Sequence, residues 1–420
     1  MKDAAPRIDA DLEPPPVHGT AALSHRAFAG DDLDALLAGI HRPVYTPEQD
    51  GAISYDISLA LALALSLSLS GEPKTAAALQ RHALGRSALL RVQGGFVPRT
   101  PRAVRLLALV APGDLMVNTP LDFITAHLDV RLDLLFVRPG QKLPAAMPDH
   151  DLAFFAVSES DPATLARLAP LYAGWPRPAL NDPARVALLS RDGVARGLGQ
   201  HPGILAPPVA RATRAELSAA GADLSRLSPG LGWPVLVRPV GSHAGQDLVK
   251  ADSPEALAAY LADATADAFF VVGFIDYSDV DGLFRKYRVA FIDGAPFLVH
   301  MAASEHWMVH YLNAGMTDRA ERRDAEAAAM AGFDAGFARR HRAAFQALND
   351  WIGLDYHQID CAEAPDGRLL VFEADVAGIV HLMDPPELFP YKQRHMRRLM
   401  AAFGDMLLRR AAPTDRAAAA

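Results

Sequence analysis

The sequence predicts an α/β protein of several domains, of the mixed (α+β) kind in which sheets carry helices on their faces. Three observations predict it. The chain has 420 residues, too many for one ordinary core, and at about 150 residues per domain it holds two to three. Between 102 and 180, short apolar runs alternate with helical patterns, as in an open sheet with crossover helices. Further on, Asp293-Gly294 and Asp366-Gly367 each separate two strand-like runs, a strong hairpin signal.

Composition narrows the function classes. Hydrophobic residues make up 50% and charged residues 21%, a globular balance. Lys plus Arg is 41 and Asp plus Glu is 49, a net charge of −8, so the chain carries no electrostatic footprint for nucleic acid. The single cysteine, Cys361, excludes an intrachain disulfide and a Cys-rich zinc site. That usage suits a cytoplasmic protein. The first 19 residues are acidic and proline-rich with no apolar core of a secretory signal.

The elements follow in order. Residues 1–45 read as a loosely ordered tail, extended at Pro14-Pro15-Pro16. Between 57 and 69, leucines alternate with Ala and Ser. The run is too short to span a bilayer, for which about 20 residues are needed. Alternation suggests a strand, whereas Leu and Ala favour a helix with two apolar faces. The helix is the preferred reading, followed by a second helix over 75–90 with Thr75 as N-cap. This helical hairpin, 46–98, is the surface expected for a protein partner or a second copy of the chain. The runs 104–110, 132–137 and 152–157 are strands of a buried parallel sheet, with helices over 120–127 and 163–171. Helices are expected over 181–198, 214–220 and 254–264, with strands at 235–239, 247–250 and 269–275. The hairpin 284–291/295–301, a helical region over 319–350, the hairpin 353–361/369–375 and a helical C-terminus from 387 complete the chain.

Four clusters carry candidate chemistry. Asp360 ends one strand of the last hairpin, and Glu373 and Asp375 share a face of its partner, since a strand repeats every two residues. Converging carboxylates repel unless a cation sits among them, and Mg²⁺ on nucleotide phosphates is a natural neutraliser. The apolar run 369–372 argues against the alternative, a solvated edge strand. Arg238 ends a strand and leads into Gly241-Ser242-His243-Ala244-Gly245, a loop whose backbone N–H groups suit phosphate, or else a turn that requires glycine. On the strand Arg285-Lys286-Tyr287-Arg288, one face carries Arg285 and Tyr287 and the other Lys286 and Arg288. One of these cations suits a transferring phosphoryl group or a carboxylate; the alternative is a solvated face. His306 and His310 flank Trp307-Met308-Val309. They would pair on a helix but not on a strand; plain packing or a surface position is the leading reading, and substrate contact stands ahead of a transition metal. Cys361 reads as a small core residue.

Taken in order, these pieces resemble the ATP-grasp superfamily, near the RimK-like carboxylate–amine ligases, over roughly residues 102–405. The motifs are Asn181-Asp182-Pro183, Ser190-Arg191-Asp192, Pro207-Pro208, the stretch 234–245, Phe270-Val271-Val272-Gly273-Phe274-Ile275, the stretch 285–294, and 353–360 with Glu373-Ala374-Asp375. The segment 53–90 resembles a single tetratricopeptide unit. The resemblance implies an ATP-grasp fold of two α/β subdomains, at 181–270 and 271–410. A small open parallel-sheet domain at 99–180 and the helical hairpin precede it, and a short tail, 411–420, ends the chain. It implies ATP with Val272, Gly273, Phe274 and Ile275 along the adenine, and Arg238, Gly241, Ser242 and Gly245 at the phosphates. It also implies Mg²⁺ on Asp360, Glu373 and Asp375, Arg288 (with Arg238) as the catalytic cation, and Arg285, His306 and His310 at a small-molecule, amino-acid or peptide substrate.

The chain departs from the pattern at four positions. Arg238 stands for the usual lysine, Gly193 for a second lysine that Arg191 or Arg196 would replace, Gly273 for a glutamate, and Asp375 for an asparagine. The implied reaction is amide formation through an acyl phosphate, which needs no side-chain nucleophile. The alternatives are a non-catalytic nucleotide-binding or scaffold protein, a phosphotransferase on the same fold, and a metal hydrolase around His300 to His310.

Overall fold

The structure is a computed structural model describing residues 3–28, 61, 72–93, 95, 96, 99–242, 245–311 and 314–411. The mixed α/β class expected from the sequence is the class observed. The chain divides into two compact units. One comprises Met1–Ala187, Leu354–Tyr356 and Asp375–Ala420, the other Leu188–Gly353 and His357–Ala374.

The first unit is built on a six-stranded sheet. Its spatial order is Pro16–His18, Leu89–Gln93, Val130–Phe136, Val104–Val110, Leu152–Phe155 and Ala179–Leu180. Val104–Val110 is central and buried at every position but Arg105, because a parallel strand covered on both faces must be apolar throughout. The helix Pro162–Tyr172 starts at Asp161, whose carboxylate accepts the Thr164 N–H at 3.0 Å, with Pro162 in the first turn. Phe403 of the helix Pro390–Arg410 packs on Phe154 and edge-on to Tyr356. Buried Asn181 ties Leu354–Tyr356 into this unit. Its amide exchanges two hydrogen bonds with the Tyr356 backbone, at 2.8 and 2.9 Å, and its N–H donates to Asp355 at 2.9 Å. Its φ of +59° is one that asparagine tolerates better than most residues.

Two readings of the N-terminal region change. The opening segment, expected as a loose tail, supplies strands: Arg7–Asp9 pairs with Ala146–Pro148, and Pro16–His18 with residues 91–93. The helix expected over 75–90 runs from Pro73 to Arg86, with Glu72 rather than Thr75 at the N-cap position and no side-chain capping bond there. Residues 89–93 form a strand antiparallel to Val130–Phe136. Burying Leu89 and Leu90 in that sheet, and pairing Arg91 with Asp133 at 2.7 Å, outweighs their helix propensity. The leucine-alternating run lies outside the described residues except for Leu61, as do 412–420.

The second unit holds two sheets. A four-stranded antiparallel sheet runs Val209–Thr213, Ala268–Gly273, Val235–Pro239, Val249–Ala251. The helices Arg214–Ala220 and Pro254–Asp263 close its core, in which Leu217, Leu257 and Leu261 cluster with Val235, Val237, Phe269 and Val271. A five-stranded sheet runs Ala295–Ser304, Phe284–Ile292, Tyr356–Glu363, Leu369–Asp375, Ile204–Leu205. Its first hairpin turns at Asp293 and Gly294, with φ of +48° and +77°, the doubly left-handed turn that matches strand twist. No helix among the described residues is long and apolar enough to cross a membrane.

Two packing details of this unit are testable. A Cβ at Gly197, on the helix Arg191–Leu198, would stand 2.1 Å from the Trp351 ring. Gly197→Ala is expected to cost about 1–3 kcal/mol in chemical denaturation. His357 is fully buried, stacks on Phe291 at 4.7 Å, and has no hydrogen bond to either ring nitrogen among the described residues. Burial pushes its pKa down to about 3. The unfolded chain therefore takes up a proton near pH 6.5 that the native state refuses, so this group removes stability as pH falls from 6.5 towards 3. His357→Leu is expected to raise the thermal midpoint more at pH 5 than at pH 8; equal shifts would refute it.

Candidate functional site

The second unit brings several of the expected residues into one cluster, and the strand period explains how. Phe284–Ile292 lies beside Tyr356–Glu363 in the sheet, and Lys286 and Arg288, two residues apart, point to one face. Both reach Asp360. Arg288 donates from Nε at 2.7 Å and from its terminal nitrogen at 3.0 Å, one bond to each carboxylate oxygen, and Lys286 Nζ donates at 2.9 Å. Asp360 is 2% exposed. Burial alone would raise its carboxyl; Arg288 and then Lys286 outweigh it and hold the group well below the usual carboxylate range. On the other face, Tyr287 stacks on Phe337 at 4.3 Å.

Glu373 sits on the next strand and is ion-paired with Arg191. Burial and the nearby Asp360 raise its carboxyl, but Arg191 prevails, with Lys286 and Arg288 adding to it, so the group stays below its ordinary value. Of the two candidate replacements for the missing lysine, Arg191 is therefore the one that faces the cluster; Arg196 pairs with Asp192. Gly193 itself has no room for a side chain, since a Cβ would stand 2.3 Å from the Leu188 carbonyl oxygen.

Arg238 is buried at the end of its strand and folds back on the glycine loop. Its Nε donates to Ser242 Oγ at 3.0 Å and its terminal nitrogen bonds the Ser242 carbonyl. Burial, then the like charge of Arg191, lowers its pKa to about 10, which leaves it charged at neutral pH. Gly241 and Gly245 have φ of +85° and +75°, the backbone conformation that a turn requiring glycine adopts. Gly245 also faces Met308, whose Sδ lies 3.4 Å from a Cβ built there.

The segment around His306 and His310 is neither helix nor strand. Trp307 packs edge-on to Phe274, and its carbonyl accepts the Tyr277 hydroxyl at 2.6 Å. His306 donates its N–H to Ser304 Oγ at 3.0 Å. His310 is half-buried; burial, then Lys286 and Arg288, depress its pKa, so its imidazole is neutral at pH 7. Along the expected adenine strand, the N–H groups of Gly273 and Phe274 are engaged by Pro208 and Pro234 carbonyls at 2.9 and 3.0 Å. Val272 pairs with Val209 and Leu236 in the sheet, and Ile275 packs with Tyr277, Phe284 and Leu370.

Two expected residues are occupied elsewhere. Arg285 pairs with Asp281 and Asp279, on the face of its strand opposite Lys286 and Arg288. Asp375 belongs to the first unit, where its Oδ1 accepts the Ala377 and Gly378 N–H groups, each at 2.9 Å. Lys286, one of the three cations expected to suit a phosphate or a carboxylate, stands with Arg288 at Asp360, as the alternation along 285–288 places it. Cys361 is buried, and burial, then Asp360, raises its thiol well above the ordinary value, in keeping with a core residue.

Magnesium is the ion the resemblance implies, and these residues do not fit it as they stand. Mg²⁺ is held through carboxylate oxygens, but both oxygens of Asp360 accept from protein cations, Glu373 is paired with Arg191, and Asp375 caps a turn. Among the described residues, no three His, Cys, Asp or Glu side chains are grouped to hold a metal. Instead, four cations (Lys286, Arg288, Arg191 and Arg238) stand against two carboxylates, an excess of two positive charges.

No protein-family model and no curated protein matches the sequence. Among solved structures, the chain is similar to the D-alanine–D-alanine ligase from Bacillus anthracis complexed with ATP, at 14% identity and a TM-score of 0.44, over 73% of this chain and 98% of that one. It is similar to a RimK-domain ATP-grasp protein from Sphaerobacter thermophilus, at 16% identity and a TM-score of 0.41, over 72% and 99%. It is also similar to the D-alanine–D-alanine ligase from Coxiella burnetii, at 11% identity and a TM-score of 0.47, over 73% and 96%.

The two faces of Phe284–Ile292 make opposite predictions. Arg288→Met leaves a buried carboxylate short of a cation and is expected to cost about 3 kcal/mol in urea unfolding. Arg285→Met removes only solvent-facing pairs and is expected to leave the midpoint unchanged.

Proposed function

We propose that the chain is an ATP-dependent carboxylate–amine ligase that forms an amide through an acyl phosphate. One observation carries this reading. The cluster of Lys286, Arg288, Arg191 and Arg238 has two positive charges beyond what Asp360 and Glu373 neutralise, and it stands with a glycine turn pinned by Arg238. A surplus of guanidinium and ammonium donors suits an anion rich in oxygen atoms, such as a triphosphate or a carboxylate undergoing phosphorylation.

The chemistry then follows from charge and position. A substrate carboxylate oxygen attacks the γ-phosphorus of ATP, the bond to the bridging oxygen breaks, and ADP leaves. Arg288 and Lys286 stabilise the charge on the transferring group, and Arg191 that on the neighbouring phosphate oxygens. An amine next attacks the acyl carbon, phosphate departs with the electron pair of the C–O bond, and the amine loses a proton. The neutral imidazole of His310 is the nearby group suited to accept that proton. Arg238, bonded to Ser242, would set Gly241-Ser242 against the phosphates. The N–H groups of Gly273 and Phe274 are engaged by the Pro208 and Pro234 carbonyls, so an adenine along 272–275 would be held by packing and by other backbone groups of that strand.

The test is release of ADP from ATP with amino acids and short peptides, singly and in pairs, with products read by mass spectrometry. The expected result is substrate-dependent ADP with an amide product, and a kcat at least about 100-fold lower in Arg288→Met. ATP binding without turnover on any pair would mark a non-catalytic nucleotide-binding protein. A phosphorylated product without amide would mark a phosphotransferase.

A further inference from the structure

Two carboxylates on neighbouring strands, Asp360 and Glu373, raise one another's proton affinity and need positive charge between or beside them. A divalent ion is one solution and basic side chains are another. In this chain the second is built in. Lys286 Nζ lies 2.9 Å from one Asp360 oxygen, Arg288 bonds both oxygens at 2.7 and 3.0 Å, and Arg191 is paired with Glu373. The arrangement is not incidental surface pairing. Asp360 is 2% exposed, and the side chains of Lys286 and Arg288 are 15% and 21% exposed, so little water competes for these contacts. A metal entering among them would have to displace an ammonium or guanidinium from each carboxylate while adding to an existing excess of positive charge, an arrangement Coulomb's law disfavours.

We propose that Lys286 and Arg191 stand where a divalent ion would stand, so that Asp360 and Glu373 are not metal ligands and the chain binds triphosphate through its own cations without a divalent ion. The second half of this proposal rests on the nucleotide reading above; the first half does not.

Two measurements on the full chain separate the halves. In the first, Mn²⁺ is titrated against the nucleotide-free protein and the bound fraction is read by electron paramagnetic resonance. The unaltered chain is expected to take up no Mn²⁺ up to about 1 mM. Lys286→Met, checked for folding by circular dichroism, removes one positive charge and one of the two donors on an Asp360 oxygen, leaving a lone pair there for a metal, and is expected to acquire a site, whereas Lys286→Arg keeps the cation and acquires none. Uptake by the unaltered chain, or none by folded Lys286→Met, overturns the assignment. The second is calorimetric titration with a non-hydrolysable ATP analogue in EDTA and in Mg²⁺. Affinity is expected to agree within about tenfold; a greater loss in EDTA, with binding in Mg²⁺ intact, overturns metal-free binding. No binding in either buffer would defeat the nucleotide reading itself, and the Mn²⁺ measurement would still decide the role of Lys286.

Discussion

Asp360 is a carboxylate in the interior of a five-stranded sheet, and a charge in that position persists only if the surrounding structure neutralises it. Arg288 and Lys286 do so from a neighbouring strand, at 2.7 to 3.0 Å. Much of the second unit can be understood from this requirement. The register of Phe284–Ile292 has to present alternate residues to Asp360. The Asp293-Gly294 turn joins that strand to Ala295–Ser304, with a register shift between Arg288 and Val289, and the opposite face is left to Tyr287 and its stack on Phe337. Arg191 repeats the solution one strand further on, at Glu373.

The same requirement links stability to chemistry. A cation locked onto a buried carboxylate is pre-positioned: its side-chain entropy is already spent and its donors are aimed before any ligand arrives. The surplus beyond neutrality is what an anion would meet. Arg238 works differently, since its hydrogen bonds go to Ser242 in its own loop. It shapes the turn and lends its charge, which remains in place at neutral pH although burial and Arg191 lower its pKa to about 10.

Much of the architecture was legible in the residues because local signals and burial agreed. The fully apolar run 104–110 is a central strand, Asp293-Gly294 is a tight turn, and Pro162 opens a helix capped by Asp161. Legibility failed where long-range pairing overrode local preference. Residues 89–93 carry helix-favouring leucines yet join a sheet whose other strands lie elsewhere in sequence. The residues 306–310 suit a helix or a strand and form neither; Trp307 packs on Phe274 and its carbonyl accepts the Tyr277 hydroxyl.

At the site, the alternation along 285–288 and the presence of Asp360, Glu373 and Arg238 were properties of the sequence alone. Which cation meets which carboxylate was not. Whether Arg191 or Arg196 replaced the missing lysine depended on a helix orientation that carries Arg191 to Glu373 and leaves Arg196 on Asp192. Lys286 gained its place from the adjacency of two strands some 70 residues apart in the chain. Asp375 was diverted to cap a local turn. Residue types and their local period set what each strand can offer. Charge pairing is a matter of distances of about 3 Å between segments remote in sequence, and only the tertiary structure sets those.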